Sequence, residues 1–369
     1  MKLNRKNLNG LPYSHEVRMN QTHFGTSGGQ GELALLSEIR QRAARAASRG
    51  QNGGLSLGIG DDCALLAPRR DEVLAVTTDL SIAGRHFRLD WHQPEAVGHR
   101  ALARGLSDLA AMGARPVAAF LSLGLPRSLT TETGRRGAGS SSWVQRFLDG
   151  LLALAEAHNT PLAGGDLAES PLAVADIVLV GAVPRGRALL RSGARPGDLL
   201  YVTGALGGAA AGLARLGELA EAQPGRSNPP RIPRKLEVQL AAHLYPQPRV
   251  KQGLWLQRHG LASAALDLSD GLSTDLAHLC KESGVAAEVD AALVPTHAAA
   301  TLDQALHGGE DYELLFTAPP SARVPRSIAG VNITRIGRVT KPRPGQSTMM
   351  LLTPQGPQPL EAHGWEHFS

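Results

Sequence analysis

The stretch ALDLSDGLSTDLAHL, residues 265–279, changes its period part-way along. Ala264 to Leu268 is an apolar run of strand length, and from about Ser273 to Lys281 the leucines fall at helical spacing. Between them lie Asp267, Ser269, Asp270 and Gly271, a polar turn where the backbone bends and a ligand can come close. The same sentence recurs along the chain. GIGDDCALL (58–66) carries Asp61 and Asp62, TTDLSIAGRHF (77–87) carries Asp79, LSDLAAMGARP (106–116) carries Asp108, and AGGDLAES (163–170) carries Asp166. Most of these aspartates are expected to close an apolar strand beside Gly or Ser, with Asp108 on a helix.

Outward from these turns, strands are expected at 55–60, 73–78, 117–123, 172–183, 198–203, 264–268, 285–289, 314–317 and 333–339, with 161–163 extended. Helices are expected at 32–49, 94–113 and 143–157, after the glycine turn of GALGGAAAG (204–212), and at 273–281. Pro94 suits a first helical turn and Gly113 a helix end. Residues 127–142 and 221–235 read as loose surface excursions, and residues 1–30 as a polar tail. Strands and helices alternate without a strict βαβ rhythm, so the expected class is α+β, sheets covered by helices on one face.

The chain has 369 residues, enough for two domains, and the segment 185–196 has no clear element, so the boundary is placed there. At 42% hydrophobic and 19% charged it is globular, and at 4% aromatic it lacks the stacking platforms of single-strand nucleic-acid binders. Its two cysteines, Cys63 and Cys280, lie outside any CxxC pattern, which argues against a disulfide framework or cysteine zinc site and fits a reducing cytosol. The net charge of +5 gathers near the N-terminus, as a solvated face rather than a nucleic-acid arm. No apolar segment follows the first basic residues as in a signal peptide, and the most apolar run, 172–183, contains Asp176 and is too short to span a bilayer.

Seven carboxylates turned toward one pocket would repel, by roughly 4 kcal/mol for a pair about 4 Å apart at an effective dielectric near 20. Hard oxygen ligands without His or Cys favour Mg²⁺ completed by water and phosphate oxygens, and so suggest magnesium–nucleotide chemistry. Any one of them alone is as readily a turn residue or helix cap. Asp108 could pair with Arg104, and Asp270 could cap the helix near Ser273. GALGGAAAG could cradle a phosphate or simply pack a strand on a helix, and its spacing matches neither a P-loop nor GxGxxG. In GGEDYELLF (308–316), Glu310, Asp311 and Glu313 could orient a polar substrate or make a turn.

Taken together, GIGDDCALL, TTDLSIAGRHF, LSDLAAMGARP, AGGD, RALLRSGARPGDLLYVTG (187–204), ALDLSDGLSTDLAHL, HGGEDYELLFT (307–317) and GWEHF (364–368) closely resemble the thiamine-monophosphate kinase family. The resemblance runs from about Gly31 to Phe368 and departs from the family pattern at Arg104 and Gly105. It implies the aminoimidazole ribonucleotide synthetase-like fold: residues 31–185 as an N-terminal domain that forms a β-barrel with its twin in a homodimer, and 186–369 as a C-terminal α/β domain. It implies transfer of the γ-phosphoryl of ATP to thiamine monophosphate in the cytoplasm. By position, Asp62, Thr77, Thr78, Asp79, Asp108, Asp166, Asp267 and Asp270 resemble magnesium ligands. Gly165, Asp166, Arg191 and Ser269 resemble nucleotide contacts, and His86, Glu310 and Trp365 contacts to thiamine phosphate. Asp79, Asp166 and Arg191 would carry the chemistry. A ribonucleotide cyclo-ligase type of phosphate activator, or a non-catalytic nucleotide or nucleic-acid binder, are the alternatives.

Overall fold

The computed structural model describes residues 32–47, 54–60, 62–133, 141–223 and 228–364. In the first half these form α1 (Glu32–Ala47), β1 (Leu55–Leu57), β2 (Leu65–Leu66), β3 (Glu72–Ile82), α2 (Pro94–Ala111), β4 (Arg115–Leu125), β5 (Glu132–Thr133), β6 (Ser141–Ser142), α3 (Trp143–Ala157), β7 (Leu162–Glu169) and β8 (Val174–Pro184). The second half contains β9 (Leu199–Thr203), α4 (Gly208–Glu221), α5 (Arg234–Leu244), α6 (Val250–His259), β10 (Ala264–Asp267), α7 (Leu272–Ser283), β11 (Ala286–Asp290), α8 (Leu302–His307), β12 (Leu314–Ala318), β13 (Ser327–Ile328), β14 (Val331–Thr340), β15 (Met349–Thr353) and β16 (Gly356–Pro359). The tail expected at 1–30 lies outside the described residues.

The first sheet is four-stranded, in the order β3-β8-β4-β7, with β4 and β7 parallel and the other pairs antiparallel. It is an open sheet; among the described residues no closed barrel forms within one chain. Residues alternate across β3, so Thr77, Asp79 and Ser81 turn toward α2 while Leu74, Val76, Thr78 and Leu80 turn outward. The second sheet runs β10-β12-β9-β14-β11-β15-β16, with β13 on β14. In β10 and β12, Ala265, Leu314 and Phe316 join one core, and Ala264, Leu266 and Leu315 join another. The edge strand β10 and its neighbour β12 are therefore enclosed on both faces, not on one as the sequence suggested.

The cause is α2. Pro94 opens it and Gly113, at φ 62°, follows it. Every residue of this helix is buried except Glu95, Arg104 and Asp108. It packs on the first sheet, on α3, and on α6 and β10 of the second half. A Cβ on Gly150 of α3 would lie 1.9 Å from the Glu95 carbonyl oxygen, and one on Gly253 of α6 would lie 1.9 Å from that of Ala110. Glycine at these two crossings lets helices from both halves touch the backbone of α2. The helices α5 and α6 and the strands β15 and β16 were not foreseen, and Asp79 and Asp166 lie inside strands, where strand ends had been expected.

Candidate active site

Between the halves lies a cavity of about 410 Å³. Asp79 enters it from β3, Arg104 and Asp108 from α2, His86 from the loop after β3, Asp267, Ser269 and Asp270 from the end of β10, and Glu310 from the turn before β12. Side-chain hydroxyls fix the acids. Thr77 donates to the Asp108 carboxylate, and Ser107 Oγ donates to Asp267 Oδ2 at 2.7 Å. Arg104 Nε lies 3.4 Å from Asp79 Oδ1, so Arg104 pairs with Asp79 rather than with Asp108, its expected partner one turn on.

Burial pushes Asp79 up to about 6, with Asp108 and Asp176 adding to the shift against the pull of Arg104. Burial raises Asp108 too, opposed by its bond from Thr77 and by the charge of Arg191. Asp267 stands well above the ordinary carboxylate range, through its enclosure and then the charge of Asp108. Three acids that resist ionising side by side fit a divalent cation, whose charge would relieve that repulsion. Among the described residues, no group of three or more His, Cys, Asp or Glu side chains is gathered closely enough to hold an ion by itself. Magnesium here would therefore be held by a few carboxylates and would complete its octahedron with water and phosphate oxygens.

One side of the cleft is organised by Arg100. Its guanidinium donates to Glu310 Oε1 at 2.7 Å, to the His243 carbonyl at 2.6 Å and to the His86 carbonyl at 3.3 Å. Burial acts to raise Glu310, but Arg100 and then Arg104 outweigh it and hold the carboxyl below its usual value. His92 Nε2 meets His243 Nε2 at 3.0 Å, and enclosure with the Arg100 charge drives His92 down to about 4. Glu310 itself sits at φ 69°, a conformation uncommon for a non-glycine residue, pinned by its backbone N–H to the Ser269 carbonyl at 2.8 Å. Nothing in the spacing of Arg100, His92 and His243 marks them as a set, because they come from three separate segments.

Other candidate residues lie elsewhere. Asp62, Gly165 and Asp166 line a second cavity of about 460 Å³ beside α1, together with Cys63 and Phe120. Gly165 has φ 146°, and a Cβ there would fall 1.8 Å from the Leu121 carbonyl oxygen, so close pairing with β4 demands glycine. Asp166 Oδ1 accepts from the Leu167 N–H at 2.9 Å. The side chain of Thr78 is on the sheet face opposite Thr77 and Asp79. Arg191 reaches the cleft through its charge on Asp108. Trp365 lies outside the described residues; just before it, the His363 and Gly364 N–H groups donate to Ser273 Oγ at 3.4 Å and Thr274 Oγ1 at 2.9 Å.

Two ambiguous motifs resolve together. Asp311 accepts from the Gly207 N–H at 2.6 Å and the Ala209 N–H at 3.0 Å, so a carboxylate of the chain itself sits where GALGGAAAG could have cradled phosphate. Burial pushes that carboxyl up to about 7 against those bonds. Glu313 is buried and bound by Thr203 Oγ1 at 2.5 Å and by Arg249. The cap position before α7 is Gly271, and Asp275 accepts from the Asp270 and Gly271 N–H groups at 3.0 and 3.1 Å, so Asp270 is not the cap.

The family models for the N-terminal and C-terminal domains of AIR synthase related proteins match residues 60–183 and 195–349. The thiamine-monophosphate kinase of Escherichia coli (strain K12) is 38% identical over 351 residues, covering 92% of this chain and 98% of that protein. The chain belongs to the thiamine-monophosphate kinase family. The crystal structure of the thiamine-monophosphate kinase from Stenotrophomonas maltophilia K279a superposes with a TM-score of 0.69 at 38% identity, over 85% of this chain and 96% of that one. The structure described as AaThiL complexed with AMPPCP and TMP gives 0.65 at 29% identity, over 92% and 97%. The two-domain α+β architecture of this kinase family is thus the architecture of this chain.

Proposed function

We propose that the chain transfers the γ-phosphoryl of ATP directly to the terminal phosphate oxygen of thiamine monophosphate, giving ADP and thiamine diphosphate. The observation that carries this reading is the meeting of Asp79, Asp108, Asp267 and Asp270 with His86 and Glu310 in one cleft. The relatives add weight: they are thiamine-monophosphate kinases at 38% identity, and one structural neighbour is named for AMPPCP and TMP.

In this reading Asp79, Asp108, Asp267 and Asp270, with Thr77 beside Asp108, would hold Mg²⁺ in the cleft, where its charge would screen the two polyanions from each other. Thr78, on the outer sheet face, and Asp62 and Asp166, in the second cavity, are assigned to the metal by the family resemblance alone. The acceptor oxygen is already anionic and needs no strong base, so the residues supply position and charge. Arg191 neutralises the nucleotide, Gly165, Asp166 and Ser269 contact it, and His86, Glu310 and Trp365 hold thiamine phosphate. A cationic thiazolium is drawn to an aromatic face, which suits Trp365. Residues 31–185 and 186–369 form the two domains, and the enzyme works in the cytoplasm as a homodimer. Leu74, Val76 and Leu80, exposed on the outer face of the edge strand β3, are the apolar surface that a twin sheet would close into a barrel.

Purified protein given thiamine monophosphate, ATP and Mg²⁺ should yield ADP and thiamine diphosphate in equal amounts, with little turnover of unphosphorylated thiamine. Release of orthophosphate without thiamine diphosphate would overturn the reading, and a trapped phosphoprotein would overturn direct transfer.

A further inference from the structure

Arg104 and Asp108 are the two residues of α2, one turn apart, that escape complete enclosure on the cleft side. Arg104 holds Asp79 by a single Nε–Oδ1 approach of 3.4 Å, not by the two parallel bonds of a guanidinium–carboxylate fork. Its other hydrogen-bond contacts are long, Nη1 lying 3.4 Å from the Leu80 carbonyl and 3.5 Å from Ser81 Oγ, and the charges of Glu310 and Asp108 also act on it. A guanidinium cannot shed its proton in a protein, so this positive charge is permanent. It stands beside the acid that a divalent cation would need. A divalent ion arriving at Asp79 must therefore push the guanidinium aside or share the site with a like charge.

We propose that Arg104 is a resident cation of the cleft: it competes with Mg²⁺ for Asp79 and yields the site when the phosphates of a nucleotide offer the guanidinium a better partner. The fork geometry of arginine matches phosphate oxygens, and α2 holds the side chain within the same cavity. Mg²⁺ then binds the protein alone weakly and binds tightly together with nucleotide. This inference rests on the cleft being the magnesium–nucleotide site of the proposed function.

The test is calorimetric titration of Mg²⁺ into the full-length protein, without nucleotide and then with AMPPCP, for wild type, Arg104→Met and Arg104→Gln. Without nucleotide, Arg104→Met should bind Mg²⁺ about tenfold tighter than wild type. With AMPPCP the gap should close or reverse. Equal or weaker Mg²⁺ binding by the folded variant, without nucleotide, overturns the proposal. If Arg104→Met fails to melt cooperatively, Arg104→Gln, which also removes the charge but retains a polar amide in place of a thioether, carries the comparison. The kinase assay on wild type is independent: absence of thiamine diphosphate sinks the functional reading, whereas the Mg²⁺ comparison speaks to Arg104 alone.

Discussion

Asp79 illustrates a residue placed for a ligand and against the stability of the protein without one. With its carboxyl raised to about 6 from an ordinary 3.8, the folded chain keeps this proton at pH values where the unfolded chain has lost it. Its contribution to stability therefore falls as pH rises from about 4 through about 6. Asp79→Asn removes that dependence. In EDTA at pH 7.5 the variant should melt no lower than wild type, with any advantage shrinking toward pH 5. Its turnover should drop by orders of magnitude, because a ligand charge is gone while packing is kept. Near-normal turnover, or a melting point well below wild type at pH 7.5, would contradict this account. Sequence alone exposed Asp79 as a candidate, since an acid flanked by apolar and β-branched residues stands out. It hid the identity of the neighbour: Arg104 lies four residues from Asp108 on the helix, and only the tertiary approach of β3 gives it to Asp79.

Among the elements, α2 was the most legible, with Pro94 and Gly113 marking its ends. The residues 143–157 were equally plain, since their leucines repeat at helical spacing and Ser142 makes a capping box with Gln145. By contrast, α5 begins at Arg234 inside the proline-rich run NPPRIPRK (228–235), and that composition masks the helix start. The sequence pattern ends β3 four residues early, at Thr78 instead of Ile82, because Thr77 to Ser81 alternate polar with apolar side chains on a surface whose inner face is itself polar. What periodicity could not express is how closely the helices cross. Gly150→Ala brings a methyl against the Glu95 carbonyl and should cost about 1–3 kcal/mol or more in chemical denaturation. A change below about 0.5 kcal/mol would mean that α3 shifts freely over α2.

At the level of the whole molecule, the described residues leave an apolar strand face in the open, with Leu74, Val76 and Leu80 turned outward from β3. The resemblance to known kinases supplied the expectation of a dimer, and the outward Val76, 62% exposed, gives it a handle. Val76→Glu should convert a dimer into a monomer by sedimentation or light scattering, and kinase activity should fall with it. A variant that stays dimeric would place the interface elsewhere. The cleft was legible as a collection of acids but not as a place, because its walls come from residues more than 200 positions apart, such as Asp79 and Glu310.

A helix wedged between two sheets, gripped by α3 on one flank and α6 on the other, leaves its carriers little play. Arg100, Arg104 and Asp108 ride on that single rod, so their spacing along one wall of the cleft is set when the chain folds. Choice of acceptor would then fall to the segment 84–88, which lines the cleft, and to 361–364, whose Gly364 lies against the Asp270 carbonyl. Exchanging those borders should retune the choice of acceptor while the acidic floor stays as it is.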